Sequence, residues 1–375
     1  MKKNILFIII FICSVSLFSQ TVRQKNILYL IPFYTDHLAD INVAAIENDD
    51  QLDSKLPFQL TGFWNGSKIA LEEFYNDSVH VNVIVKDITD NVSKLRNIME
   101  DKKFMSTIDL IIGPFYSSSF IIAAEYAKKY EIPIVNPFSN RRDILENNEF
   151  VYKATPPTSI EPQLFYDRII ATDRDANIIL WSDDEASDRY KNYEKLFEEQ
   201  DLEPTKLYFD DNLNSFKQLL SPYRQNVVIL LSNSTAKIIS NFRQLDAIAD
   251  LQDFLLLIPE KWIEEIYSEL EVFNALQAYC FANNHVDYTN EKVVFFMTEY
   301  VERFNAPPTL EHFVFQGYDL TRYFLQALLH NFDHEKITIE PLAMDFKFVK
   351  IKTNGYENQQ KRLLKFDDFE MREIK

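Results

Sequence analysis

Three consecutive hydroxyl side chains, Ser117, Ser118 and Ser119, follow an apolar run that ends in Gly113-Pro114, in the stretch IIGPFYSSSF. A helical pattern, SFIIAAEYAKKY, comes next and gathers Phe120, Ala123, Ala124 and Ala127 on one face. The serines therefore fall at a strand-to-helix turn. The first turn of a helix leaves its backbone N–H groups without intrahelical partners, and the dipole is positive there. With three hydroxyls added, such a turn suits a carboxylate or another anion. Serine is equally a favoured N-cap, so capping alone accounts for it as well. The next apolar run, IPIVNPFSN, ends in Asn136, Pro137, Phe138 and Ser139. If the two runs are neighbouring parallel strands, both polar ends open onto one crevice, where open α/β sheets bind ligands. Asn, Pro and Ser also make ordinary turns.

Other chemistry is not encoded. GxGxxG and GxxxxGK[ST] are missing, and so are HExxH, CxxC and GxSxG. His330 and His334 are four apart with Asp333 between them, but a metal needs further ligands, and a polar helix end explains the pattern better. Acidic pairs such as Asp183-Asp184 carry little weight in a chain with 57 acidic residues. No catalytic residue, metal or cofactor is expected, and a hydrolase or dehydrogenase finds no support.

The elements that would position the serines form an alternating series. Apolar runs recur at 26–33, 81–87, 109–114, 132–138, 177–183, 226–232, 254–259 and 276–282. Most are uninterrupted, as in strands covered on both faces. Helical patterns lie at 62–76, 119–130, 188–200, 234–246, 291–304 and 309–330. The alternation predicts an α/β architecture with parallel sheets and right-handed crossovers. In the first helix, Gly66, Ser67 and Ala70 predict close approach to a sheet. Near the end, Asn354-Gly355 predicts a hairpin within 346–366, because both residues accept positive φ.

A chain of 375 residues with 46% apolar and 14% aromatic content has room for two cores. Lys2 and Lys3 precede the run ILFIIIFICSVSLF, which is short for a membrane span and reads as a secretory signal over 1–19, with an uncleaved membrane anchor as the alternative. Bulky Ile12 argues against a lipid-modified Cys13. Once the signal is removed, Cys280 is the one remaining cysteine; its apolar surroundings predict a buried thiol. A net charge of −18 argues against nucleic acid and against anionic membrane surfaces as partners.

The order LTGFWNGSKIALEEF, VNVIVKDITDN, DLIIGPFYSSSFIIAAEYAKKYEIPIVNPFSN resembles type I periplasmic binding proteins, above all the leucine/isoleucine/valine-type substrate-binding branch. The stretch from LQAYCFANNH to GYDLTRYFLQALL and the ending FKFVKIKTNGYENQQKRLLKF are similar to that family's return segment and terminal hairpin. DLIIGP with IPIVNPFS also resembles a branch sometimes fused to LysM peptidoglycan-binding modules. The resemblance implies two Rossmann-like lobes joined by three crossovers, with 26–139 and 275–332 in the first lobe and 150–260 and 340–375 in the second. It implies a periplasmic, non-catalytic solute-binding protein that closes on a small polar ligand, amino-acid-like or otherwise anionic, with an ABC-type permease as partner. The Ser117–Ser119 loop and Pro137, Phe138 and Ser139 match the family's first-lobe contacts. Trp64, Phe115 and the expected ligand contact Tyr116 would line the cleft or pack the lobe. Ala186, Ser187 and Asp188 stand where amino-acid binders often carry an aromatic-glycine pair, and Asn233-Ser234-Thr235 offers no amine-binding carboxylate. These departures admit a second reading, an envelope interaction protein with an altered pocket, associated with cell-wall components or activating a synthase.

Overall fold

The structure, a computed structural model, describes residues 23–46, 57–74, 79–89, 91–208, 213–232, 254–263 and 276–374, with isolated positions between them. The expected signal segment and the helix expected at 234–246 lie outside the described residues. One sheet contains β1 (Arg23–Ile31), β2 (Val79–Asp87), β3 (Leu110–Ile112), β4 (Ile134–Asn136) and β5 (Val151–Lys153). A second contains β6 (Asn177–Ser182), β7 (Thr205–Tyr208), β8 (Asn226–Leu231), β9 (Phe254–Ile258) and β10 (Tyr279–Ala282). The tail adds β11 (Phe348–Lys350) and β12 (Tyr356–Asn358) to the first sheet, and β13 (Arg362–Asp367) and β14 (Glu370–Glu373) to the second. The orders are β11-β12-β5-β4-β3-β1-β2 and β14-β13-β10-β9-β8-β6-β7. All pairs from β1 to β5 and from β6 to β10 are parallel, while the hairpins of the tail are antiparallel.

Both faces of each sheet are covered, which is why the strand sequences are apolar without alternation: every residue of β3, β6 and β8 is buried. On the first sheet, α1 (Thr61–Glu73) covers one face, and α2 (Val92–Glu100), α3 (Lys102–Met105) and α4 (Ser117–Tyr130) cover the other. On the second, α5 (Glu161–Arg168) and α6 (Asp188–Glu199) pack Phe165, Tyr193 and Phe197 on one face, opposite Phe216 of α7 (Leu213–Leu219). The chain then returns to the first lobe as α8 (Glu291–Phe304) and α9 (Val314–Leu329). Cys280 is fully buried in the second core, as its neighbours predict, and desolvation pushes its thiol pKa up.

The chain passes between the lobes three times, after β5, after β10 and between β12 and β13. These passages fall elsewhere than the expected boundaries. β5 lies in the first sheet because Val151 continues the parallel ladder of Ile134. β10 lies in the second because Cys280 sits between Ile258 and Leu364. The tail is divided, β12 pairing with β5 and β13 with β10.

The passages are joined by charges held out of water. In the run ENQQKR (357–362), Glu357 and Asn358 are 0% exposed, Lys361 1% and Arg362 6%. Glu357 lies 3.5 Å from Lys153 and accepts from Arg142 at 2.8 Å. Lys361 donates to Glu161 at 2.9 Å and to Glu260 at 3.2 Å, and Arg189 closes on Glu161 at 3.0 Å. Desolvation pulls both lysines down. It prevails at Lys153, whereas two carboxylates outweigh it at Lys361, whose pKa ends up raised.

The close approach that Gly66 and Ser67 predicted is made to α9 at Gly66, while Ser67 bonds both Gly317 O of α9, at 3.2 Å, and the Tyr29 side chain of β1. A Cβ on Gly66 would stand 2.0 Å from the Val314 carbonyl oxygen, and one on Gly317 2.0 Å from that of Phe63. Small side chains permit either approach, and α9 takes this one. The hairpin β11–β12 forms as expected, but the positive φ falls on Lys352, at 50°. In α9, Asp319 is fully buried and binds the strap before β11, accepting from Leu342 N at 2.7 Å, Ala343 N at 2.8 Å and Met344 N at 2.9 Å. Desolvation outweighs these three bonds and the Arg362 charge, so its carboxyl pKa is pushed up to about 6.

Gly317→Ala should therefore lose about 1–3 kcal/mol by overpacking, seen as a lower urea midpoint with far-UV circular dichroism preserved; an unchanged midpoint would contradict the backbone contact. Asp319 is raised in the folded state, so its favourable share is complete below its ordinary value and is lost as pH rises through about 6. The stability advantage of the wild type over Asp319→Asn should thus grow by roughly 2–3 kcal/mol between pH 7 and pH 4. Urea titrations at the two pH values read it, and an advantage that shrinks on acidification would contradict this account.

Candidate functional site

Gly113 ends β3 at φ 91°, a region other residues avoid, and a Cβ there would stand 2.4 Å from the Leu30 carbonyl oxygen. The turn it begins delivers Phe115 and Tyr116 to α4. Tyr116 is the N-cap, extended and with no side-chain cap, so the serines occupy the first helical turn and none of them caps it. Ser118 is exposed, Ser119 is buried, and Ser117 Oγ bonds Ser139 Oγ at 3.0 Å. Asn136, fully buried at the end of β4, fastens the two turns. Its Nδ2 donates to Pro114 O at 3.2 Å, and its Oδ1 accepts from Phe138 N at 3.0 Å and Ser139 N at 2.6 Å. The Pro137 carbonyl then accepts from Gln316 Nε2 of α9 at 2.9 Å and from Thr155 Oγ1 of the first passage at 3.0 Å.

These turns border a cavity of about 680 Å³ at the junction of the first lobe with the passages. Its floor is aromatic: Phe138 packs on Phe115 at 5.1 Å and on Phe313 at 4.5 Å, with Phe63 behind at 4.9 Å from Phe115. Asn140, Thr155, Asn283, Asn284 and Glu311 supply polar groups around it. Apolar walls with a few convergent polar groups, at this size, describe a small-molecule site. Of the expected contacts, Tyr116 and Phe138 line the cavity. Ser117, Ser118, Ser119, Pro137 and Ser139 lie in the turns that carry them and are not among the lining residues. Phe115 lines it too, whereas Trp64 packs edge-on against Tyr29 at 5.3 Å inside the first lobe.

Asn283, Asn284, Glu311 and Gln316 were missed by sequence reasoning. Asn283-Asn284 stands directly after the apolar run of β10, the placement that singled out Ser117 and Asn136, so the same rule would have found it. The other two depend on how α9 meets the turns, which nothing local announces. In the second lobe, β6, β8, β9 and β10 are parallel, so the loop after β6 emerges at the same sheet edge as Asn283. It carries exposed Asp184, Glu185 and Asp188, and Ser187 caps α6 through Tyr190 N at 3.3 Å. Glu185 accepts from Tyr208 at 2.7 Å and Tyr190 at 3.1 Å, and these bonds lower its pKa. Asn233 and Thr235 lie outside the described residues.

Among the described residues, no group of three or more His, Cys, Asp or Glu side chains could hold a metal ion. His334 Nδ1 meets the Tyr323 hydroxyl at 2.9 Å within an aromatic cluster, where desolvation lowers its pKa, and His330 ends α9. No helix among the described residues is long and apolar enough to cross a membrane.

No curated protein sequence matches this chain. Residues 66–245 match a family described as "Receptor family ligand binding region". Among solved structures, a putative branched-chain amino acid ABC transporter protein from Rhodospirillum rubrum superposes with a TM-score of 0.67 at 14% identity, over 94% of this chain and 100% of the other. An ABC transporter substrate-binding protein from Desulfitobacterium hafniense gives 0.53 at 14% identity over 94% and 100%. A branched-chain amino acid ABC transporter periplasmic ligand-binding protein from Burkholderia xenovorans gives 0.52 at 12% over 94% and 95%. The resemblance to type I periplasmic binding proteins read from the sequence is borne out: residues 66–245 match the receptor-family ligand-binding region, and the chain has the two-lobed fold of these proteins.

Proposed function

We propose that this is an exported, non-catalytic solute-binding protein whose lobes close on a small polar molecule and present it to an ABC-type permease. The observation that carries this reading is the cavity beside the passages, walled by Phe115, Phe138 and Phe313 and rimmed by amides and a carboxylate. It lies where the carboxyl ends of parallel strands meet, the usual ligand position in such folds. Hinge closure around a ligand at that position needs few residues to turn. Tyr116 and Phe138 face the solute, and the Ser117–Ser139 bond keeps their turns in register. The names of the Burkholderia xenovorans and Rhodospirillum rubrum proteins support the transport role and the permease partner.

The test is a thermal-shift screen of the mature chain against amino acids, amines, carboxylates, short peptides and cell-wall fragments, with small-angle scattering on each hit. The expected result is a saturable rise in melting temperature, several degrees at ligand a hundredfold above Kd, together with a smaller radius of gyration. Phe138→Ala should weaken that binding at least tenfold by removing the centre of the floor. A folded sample that responds to nothing would reject this reading in favour of an envelope interaction protein.

A further inference from the structure

The sign of the charge around the cavity separates the ligand classes that the first-lobe serines leave open. No lysine or arginine is among the described residues that line it, and His312 engages Thr309 Oγ1 through Nδ1 at 2.9 Å. Cations of the adjoining turns and passages are matched: Arg141 to Asp143, Arg142 and Lys153 to Glu357, Arg189 to Glu161, and Lys361 to Glu161 and Glu260. Among the described lining residues, an incoming anion would meet amides, hydroxyls and the His312 ring but no lysine or arginine.

Groups that accept are plentiful. The side-chain oxygens of Asn283 and Asn284 are buried and have no hydrogen-bond partner, and both residues line the cavity. Buried acceptors without donors are uncommon and costly. Glu311, an exposed carboxylate, stands on the same rim. The loop after β6, at the same sheet edge as Asn283, adds exposed Asp184 and Asp188. An aromatic floor beneath such a rim attracts a cation through its ring faces as well.

We propose that the cleft selects an organic ammonium ion, a primary amine on an apolar, ring-sized body. The ring lies on Phe115, Phe138 and Phe313, and the N–H donors meet Glu311 and the amide oxygens of Asn283 and Asn284. This rests on the solute-binding reading and narrows it, replacing the anionic solute that the serines suggested.

Matched pairs of compounds test it: 2-phenylethylamine with 3-phenylpropionate, and butylamine with butyrate, each titrated at pH 7 by calorimetry and thermal shift. The amines should bind and the carboxylates should not. Raising the salt from about 50 to about 500 mM should weaken the amines, because Glu311 is exposed. Glu311→Gln should weaken them at least fivefold, and Asn284→Leu likewise, with the melting temperature of the free protein checking that each variant folds. Ser118→Ala should stay within about twofold of wild type, since that hydroxyl is exposed and outside the cavity lining. Binding of the carboxylates alone would overturn the cation assignment and leave a solute-binding protein standing. Amine binding indifferent to both Glu311→Gln and Asn284→Leu would overturn the site. Silence from these compounds while the wider screen gives hits would overturn the ligand class; silence from both would overturn the solute-binding reading as well.

Discussion

Six polar residues, ENQQKR at 357–362, run through the joint between two lobes, and the geometry of the joint depends on their ion pairs. Taking a charge out of water costs several kcal/mol even after relaxation. The run offsets that cost by supplying both signs at the right spacing. Glu357 answers Lys153 and Arg142, Lys361 answers Glu161 and Glu260, and Arg362 answers Asp345 at 3.1 Å. Each partner comes from a different part of the chain: Lys153 from the end of β5, Glu161 from the start of α5, Glu260 from the turn after β9. The third passage is thereby clamped to the first and to the approach to the second. Such pairs add little net stability over apolar packing, but one broken by removal of a partner costs about 3–5 kcal/mol. Their effect is to make one arrangement of the three passages far better than its neighbours.

This constrains how the lobes can move. A bend that drew Lys361 away from Glu161 would leave Lys361 with Glu260 alone and Glu161 with Arg189 alone, in a site where Lys361 is 1% exposed. Closure must keep that pair and turn at residues free to change φ and ψ on either side of it. The second passage meets the same network through its first residue, since Asn283 N donates to Glu260 Oε1 at 2.6 Å while Glu260 Oε2 takes Lys361. The amides that border the cavity are thus one hydrogen bond from the clamp. On the proposed reading, a ligand that engages Asn283 and Asn284 would press on the structure beside this clamp, a physical route from binding to the angle between the lobes.

Much of the architecture was legible because parallel strands buried on both faces write themselves as unbroken apolar runs. The runs at 26–33, 109–114, 132–138 and 226–232 each became a strand at nearly the expected limits. The short strands β5 and β7 were missed: VYK and TKLY are too brief to hold a period, and only β7's neighbour across the sheet fixes it. The burial of the ENQQKR run was not legible. Glu357 and Lys361 are matched by Arg142, Lys153, Glu161 and Glu260, all more than a hundred residues away in sequence. Gly66 and Ser67 announced a close approach without naming the surface approached. At the site, the turns after β3 and β4 were legible from polar residues at strand ends. The functions of those residues were not, because a serine that binds an anion and one that ties two turns together have the same local sequence. What separates them is Ser139, whose hydroxyl already engages Ser117.

The cavity itself bears on which reading of the fold is sound. Interiors are close-packed, and a gap lined by Leu60, Phe115, Phe138, Phe313 and Met344 forfeits dispersion contacts on every wall that faces it. Elsewhere this chain fills space thoroughly. Tyr152 stacks on Tyr356 at 4.7 Å, Phe346 and Phe348 lie parallel, and α1 and α9 touch backbone to backbone. A joint that had become a mere scaffold could close this gap by turning Phe138 or Phe313 inward, gaining contacts at no cost in charge. Instead the turns that carry Phe138 are braced from beneath by Asn136, and from the side by Gln316 and Thr155, so the rings stand at its edge rather than fill it. Bonds that hold aromatic side chains away from a collapse they would otherwise favour make sense when something else occupies the space.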